Sequence, residues 1–267
     1  MSSAAATPRH RRNFLKTLDR GLRVLAAFTP DTPSLTLTAL ARRLDLDPGT
    51  AFRFAYTLEH LGYLRRAPDG AYHLTGRVIE LGRSVPQLGD LRALALPHME
   101  ALARQVEETV SLAIREGAEI VVIEQVESPR PVTVRRRLGE RQPTHATAQG
   151  KVLLAYLPAA EQAALLRVMP LPAYSPRTLT QRAALEAELR RTLQRGYAVN
   201  NNEMDAGLRA VAVPICEPPG RVLAALSVDV PVGRLSLAQM QAGLIAPLRR
   251  AADNISAALG YVPHASP

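Results

Sequence analysis

From Phe14 onward, Leu15, Leu18, Leu22, Leu25, Ala26 and Phe28 recur at helical spacing, which predicts one amphipathic helix after a polar start. A short helical stretch over residues 38–44, a tight turn over 46–49 and a longer helix reaching Leu61 follow. In the longer helix Ala51, Phe54, Ala55, Leu58 and Leu61 share one stripe, leaving Thr50, Arg53, Thr57 and His60 nearer the other face. Two helices at this spacing make a helix-turn-helix. The period then changes to two: residues 63–66 and 71–74 read as strands joined by Pro68-Asp69-Gly70, a hairpin that makes the winged version of the motif.

Next comes a helical connector carrying Val78, Leu81, Val85, Leu88, Leu91 and Leu94, expected to break at Pro86 and Pro97 because proline lacks the amide a helix interior needs. Beyond it the pattern predicts strands at "VSLAIRE", "IVVIEQVE" and "VTVRR". Helices are expected over 148–156, 159–168 and 181–195, the last opened by Thr180 and closed by Gly196. Strands return as "YAVN", "LRAVAVPICE" and "RVLAALSVDV", and a final helix starts at Ser236. The expected fold class is α+β: a disordered basic tail (1–13), a winged helix-turn-helix domain (14–75), a helical linker (76–96) and a domain with helices on an antiparallel sheet (97–262).

Charge sharpens the first half of that picture. The 267 residues carry a net +9, and residues 1–75 hold 11 Lys and Arg against 6 Asp and Glu. A basic segment of this kind is the electrostatic footprint of a nucleic-acid binder. Thr50 and Arg53 are the candidates for base edges, and Arg42, Arg43, Arg65 and Arg66 for phosphates, with Thr36, Pro48 and Gly49 completing the DNA-facing set. The plainer alternative is a protein-interaction module in which Arg53 is a solvated helix residue. A winged helix reading a two-fold site implies a second copy of the chain. The single cysteine, Cys216, excludes an internal disulfide and a cysteine-clustered zinc site. No uncharged apolar run is long enough to span a bilayer and residues 1–12 lack a signal-peptide core, so the expected location is the cytoplasm.

In the second half, "LGERQPTHATAQGKVLLAYL" ends in a Gly-Lys pair that opens an apolar helix. A phosphate-binding loop is excluded, since His145 stands where its first glycine would be and Val152 where its hydroxyl residue would be. A hydrolase would use Thr147 or Ser227 as nucleophile and His145 as base, but neither is set in a G-x-S-x-G elbow. Thr147 suits an N-cap, which leaves the amides of Ala148, Gln149 and Gly150 at a helix start able to receive a carboxylate. An ordinary capped helix, with Gly150 allowing close packing, explains the same residues. His145 reads as a loop histidine and Lys151 as a helix lysine facing solvent.

Taken together, "TLDRGLRVLAAF", the stretch from Arg53 to Tyr63, the stretch from Leu138 to Ala155 and "GYAVNNNEMDAGLRAVAVPI" resemble the IclR family of bacterial transcriptional regulators, over residues 14–261. The likeness is greatest to regulators of aromatic-acid catabolism, of the protocatechuate and 4-hydroxybenzoate type. The resemblance implies a DNA-binding regulator of catabolic genes without catalytic residues, metal or cofactor, whose C-terminal domain is GAF-like and binds a small carboxylic acid. The alternative is a hydrolase with an appended DNA-binding domain. The partners it implies are operator DNA, the effector, further copies of the chain (a dimer or a dimer of dimers) and RNA polymerase. Its pocket positions fall on Val134 in the strand before the loop, Ala148, Gln149, Asn200, Ala210, Ser227 and Asp229. Asp229 stands where relatives carry a hydroxyl, and Asn200 where they carry an acid. An inward Asp229 would have to pair with an arginine, such as Arg209, or with a ligand hydroxyl.

Overall fold

The computed structural model describes residues 14–29, 32–83 and 88–262. The basic tail expected over 1–13 lies outside the described residues, as does Pro86. The chain divides into two units between Pro86 and Gln87. The stretch expected as a connector is shared between them, with one helix in the first unit and the start of another in the second.

In the first unit, helix α1 (Lys16–Ala26) precedes a short strand β1 (Ser34–Leu35), helix α2 (Leu37–Leu44), helix α3 (Pro48–His60), strands β2 (Leu64–Arg66) and β3 (Tyr72–Leu74), and helix α4 (Arg77–Arg83). The α2–α3 turn follows from local chemistry. Asp45 ends α2 in the left-handed region, Asp47 caps α3 by accepting from the Thr50 amide at 2.8 Å, and Pro48 takes the first helical position where no amide is needed. Strand β3 lies between β1 and β2, so the wing is a three-stranded antiparallel sheet. The two residues of β1 are too few to show a period. Val24, Phe28, Leu40, Leu58, Leu64 and Tyr72 form the core of this unit. Only the end of α1 enters it; Leu15, Leu18 and Leu22 remain exposed, Leu18 by 59%.

The second unit begins with α5 (Leu88–Val106), which runs on through Pro97. The expected break does not occur because Pro97 and Ala93 lie on the exposed side, where water can meet the carbonyl that proline leaves unbonded, while Leu91, Ala95, Met99 and Leu102 anchor the other side. Strands β4 (Thr109–Glu116), β5 (Glu119–Val126), β6 (Arg141–Pro143), β7 (Ala198–Asn201), β8 (Leu208–Glu217) and β9 (Arg221–Pro231) form one antiparallel sheet in the order β6-β5-β4-β9-β8-β7. The strand expected at "VTVRR" is a loop. Its polar groups serve β4 and β5 through side chains instead: Thr109 Oγ1 donates to the Val134 carbonyl at 3.1 Å, and the Arg136 amide donates to Gln125 Oε1 at 2.8 Å. Three-residue β6 takes the place beside β5.

Alternation along these strands gives the sheet two unlike faces. Leu112, Val211, Val213, Leu226 and Val228 point toward α5 and the C-terminal helix α9 (Leu237–Ala258) and form the main core. Ala113, Ala210, Ala212 and Ala225 carpet the other face, under helix α6 (Ala148–Ala155). Small side chains let α6 approach closely, and all eight of its residues are buried. Helices α7 (Ala159–Val168) and α8 (Arg182–Arg195) cover it from outside through Leu166, Leu185 and Leu189. The residue at the cap position of α8 is Gln181 rather than Thr180, with no side-chain cap, while α9 has a full capping box between Ser236 and Gln239.

Candidate functional site

Two surfaces concentrate the candidate residues, one in each unit. On the first, Arg42, Arg43, Arg53, Arg65 and Arg66 are all exposed, with Thr36, Pro48 and Gly49 at the helix starts. Thr36 caps α2, accepting from the Ala39 amide at 3.3 Å. Thr50 is half-buried, and hydrogen bonds from its hydroxyl and amide hold the Asp47 carboxyl below its ordinary 3.8. It is therefore tied into the cap. Sequence spacing missed two exposed aromatics on α3, Phe52 and Tyr56, because they fall off the apolar stripe.

The second surface is a cavity beneath the start of α6. Six of the seven positions the resemblance implied line it: Ala148, Gln149, Asn200, Ala210, Ser227 and Asp229. Val134 does not; it sits in a loop rather than on the expected strand, and Arg136 of that loop is the residue in the lining. Register explains the convergence, because Asn200 pairs with Ala210, Ala210 with Asp229, and Ser227 with Ser111, stacking these residues across neighbouring strands on the alanine face. Ser111 and Arg136 complete the polar wall. Ser111 was legible as the polar residue within the apolar run 110–114 of β4, but nothing in "VRRRL" marks which arginine turns inward.

Thr147 Oγ1 accepts from the Gly150 amide at 3.2 Å and donates to the Pro143 carbonyl at 3.0 Å. The amides of Ala148 and Gln149 belong to the first turn, which has no carbonyl of its own helix to meet. The Gln149 side chain is committed elsewhere, donating to the Ser111 carbonyl at 3.0 Å. Asn200 Oδ1 accepts from the Glu203 amide at 2.8 Å, bracing the turn after β7.

Asp229 faces the cavity and is unpaired with Arg209, which instead bonds Asn201 Oδ1 at 3.0 Å and the Leu235 carbonyl at 2.7 Å. The carboxylate accepts from Ser111 Oγ at 2.7 Å and from Ser227 Oγ at 3.3 Å. Burial pushes its pKa above the ordinary 3.8, against the opposing pull of the Ser111 hydroxyl and the Arg136 charge. Between 3.8 and that raised value the folded chain holds a proton that the unfolded chain has released, so this residue's contribution to stability falls as pH rises through the window. Asp229→Asn should remove that slope and raise the melting temperature at pH 7 by about 2–4 °C. Melting curves from pH 4 to 8 test this; a lower melting temperature at pH 7 would contradict it.

Lys151 does not face solvent. It is 1% exposed, and its Nζ donates to Glu203 Oε1 at 2.7 Å and to the Val199 carbonyl. Burial pulls its pKa below the usual lysine value, and the Glu203 carboxylate pushes back. The pair borders a second, more open cavity of about 270 Å³. His145 is buried in a short 3₁₀ turn (Thr144–Ala146), with Nε2 3.0 Å from the Pro172 carbonyl, and burial lowers its pKa below 6.5. Thr147, Ser227 and His145 are each held by other hydrogen bonds, so the pairing of His145 with Thr147 or Ser227 that the hydrolase alternative needs is not formed.

Among the described residues no helix is long and apolar enough to cross a membrane. Two family models match this chain: the IclR helix-turn-helix domain over residues 17–68 and the bacterial transcriptional regulator IclR C-terminal domain over 85–257. The chain is similar to the transcriptional regulator XynR of Escherichia coli, 35% identical over 92% of this chain and 98% of that protein. It is also similar to the Pca regulon regulatory protein of Pseudomonas putida, at 31% identity over 86% and 79%. Among solved structures, an IclR homologue from Microbacterium hydrocarbonoxydans complexed with 4-hydroxybenzoate matches with a TM-score of 0.78 and 32% identity, covering 92% of this chain and 99% of that one. This chain pairs a helix-turn-helix unit that has a basic exposed face with an α+β unit that holds a polar cavity, the two family models cover both units, and the chain belongs to the IclR family of transcriptional regulators, with an effector-binding C-terminal domain.

Proposed function

We propose that this regulator senses a small carboxylic acid bearing a hydroxyl group, bound between the start of α6 and the alanine face of the sheet. The observation that carries this reading is the mixed polarity of one cavity, which is lined by Arg136 and the first turn of α6 and also by the Ser227 and Asp229 side chains. The cations and amides suit a carboxylate, and Asp229 suits a hydroxyl donor, which removes the conflict between Asp229 and an acidic ligand. The 4-hydroxybenzoate complex of the Microbacterium relative supports the same class of ligand.

The reading extends to the cytoplasm as the place of action, to DNA contact through α3 and the wing, and to self-association. Leu15 at the cap and Leu18 and Leu22 in α1 leave an exposed apolar strip that a second copy would cover. Sedimentation of the full chain as a monomer would remove that last part. RNA polymerase is a further partner in this reading.

The cavity assignment is tested by thermal shift of the full chain with 4-hydroxybenzoate and with benzoate. Stabilisation by 4-hydroxybenzoate at saturating concentration is expected to exceed that by benzoate, and to be lost in Ser227→Ala. Absence of any shift, or an unchanged shift in the variant, would sink it.

A further inference from the structure

The exposed side of α3 carries an aromatic ridge that the positive charges around it do not explain. Ala51, Ala55 and Leu58 turn one side of the helix into the core; at 100° per residue, Arg53, Tyr56, Thr57 and His60 fall on the opposite side and Phe52 on its flank. Phe52 is 44% and Tyr56 58% exposed. Their ring centroids lie 6.0 Å apart, and Tyr56 stacks on His60 at 6.5 Å with 10° between planes, so the three rings follow one another along the helix. Thr57 turns its hydroxyl back to the Arg53 carbonyl at 2.7 Å and adds little beside them.

A bare aromatic ridge on a soluble domain calls for a complementary surface. The same unit exposes arginines at 42, 43, 53, 65 and 66, with Arg53 on the ridge's own helix, which favours a polyanion with an apolar feature inside its groove over a neutral protein face. In the major groove of DNA the base edges offer hydrogen-bonding atoms and one apolar group, the C5-methyl of thymine. We propose that Phe52 and Tyr56 recognise thymine methyl groups in the operator, beside a base or phosphate contact from Arg53. This rests on α3 being the helix that enters the groove.

The test starts from duplexes that the full-length protein selects from a random library. Each thymine of the enriched half-site is then replaced by deoxyuridine, which removes the methyl and nothing else. Wild-type affinity is expected to fall about 3–10-fold at one or two thymines, from the lost methyl burial. Phe52→Ala and Tyr56→Ala should each abolish the effect at its own thymine, while Tyr56→Phe keeps it because the ring is what makes contact. Deoxyuridine duplexes binding as tightly as thymine ones at every position would overturn the proposal, and this comparison needs no variant to fold. A methyl effect unchanged in both alanine variants would overturn it too, as would an alanine variant whose main change is in oligomeric state. Failure to select any sequence, or selection unchanged in Arg53→Ala, would strike the underlying assignment of α3 instead.

Discussion

Gly150→Ala is expected to lower the melting temperature of the second unit by about 6–12 °C, corresponding to roughly 3 kcal/mol or more. A methyl at Gly150 would lie 2.3 Å from both the Cα and the carbonyl oxygen of Thr144. Those are backbone atoms and cannot rotate aside. Thr144 is itself fixed, with its amide and hydroxyl both donating to the Ala118 carbonyl at 3.0 and 2.8 Å, and His145 beside it holds the Pro172 carbonyl. Gly150 lies in ordinary helical conformation, so helix propensity alone would make alanine stabilising by about 1 kcal/mol. The two arguments differ in sign, and a calorimetric scan decides between them; a variant melting at or above the wild type would show that the contact relaxes freely.

Lys151→Met is expected to cost about 3–5 kcal/mol, because it leaves the buried Glu203 carboxylate without its cation. It also removes the hydrogen bond to the Val199 carbonyl on β7, which the methionine sulfur cannot replace. Lys151→Met combined with Glu203→Leu should recover most of that loss, since replacing both charges removes the uncompensated one. Urea melts of the two single variants and the double variant close a mutant cycle. If the two single losses simply add, the pair is not coupled and the hydrogen bond between them carries no energy of its own.

These two residues also show where sequence reasoning reached and where it stopped. The Gly-Lys pair was visible as a motif, and excluding the phosphate loop by spacing needed no structure. That Lys151 points inward did not follow, because a lone lysine on a short helix is ordinarily solvated, and its partner Glu203 is more than fifty residues away in sequence. The winged helix was legible because caps, turns and periods are local. The alanine face was written in the alternation of "LRAVAVPICE" and "RVLAALSVDV", yet only the strand order sets Ser111 beside Ser227, and Asn200 and Ala210 in the row of Asp229. "VTVRR" has strand composition and is a loop, because its neighbours' hydrogen bonds are taken by side chains and the place beside β5 belongs to β6. In that loop it is Arg136, two positions beyond Val134, that lines the cavity.

The cavity under α6 has a volume of only about 10 Å³, room for a single water. The aromatic acid proposed above would need far more, so the lining would have to open to admit it, with Met204 and Leu208 on the side of the β7–β8 turn as the side chains to give way. Only the fraction of molecules already open can bind, and the apparent dissociation constant is the intrinsic one divided by that fraction. The concentration at which the regulator responds is then set by two separable quantities, the polar contacts that choose the ligand and the fit of two aliphatic side chains that sets the threshold. A smaller residue at 204 or 208 would make the sensor more sensitive without changing what it senses.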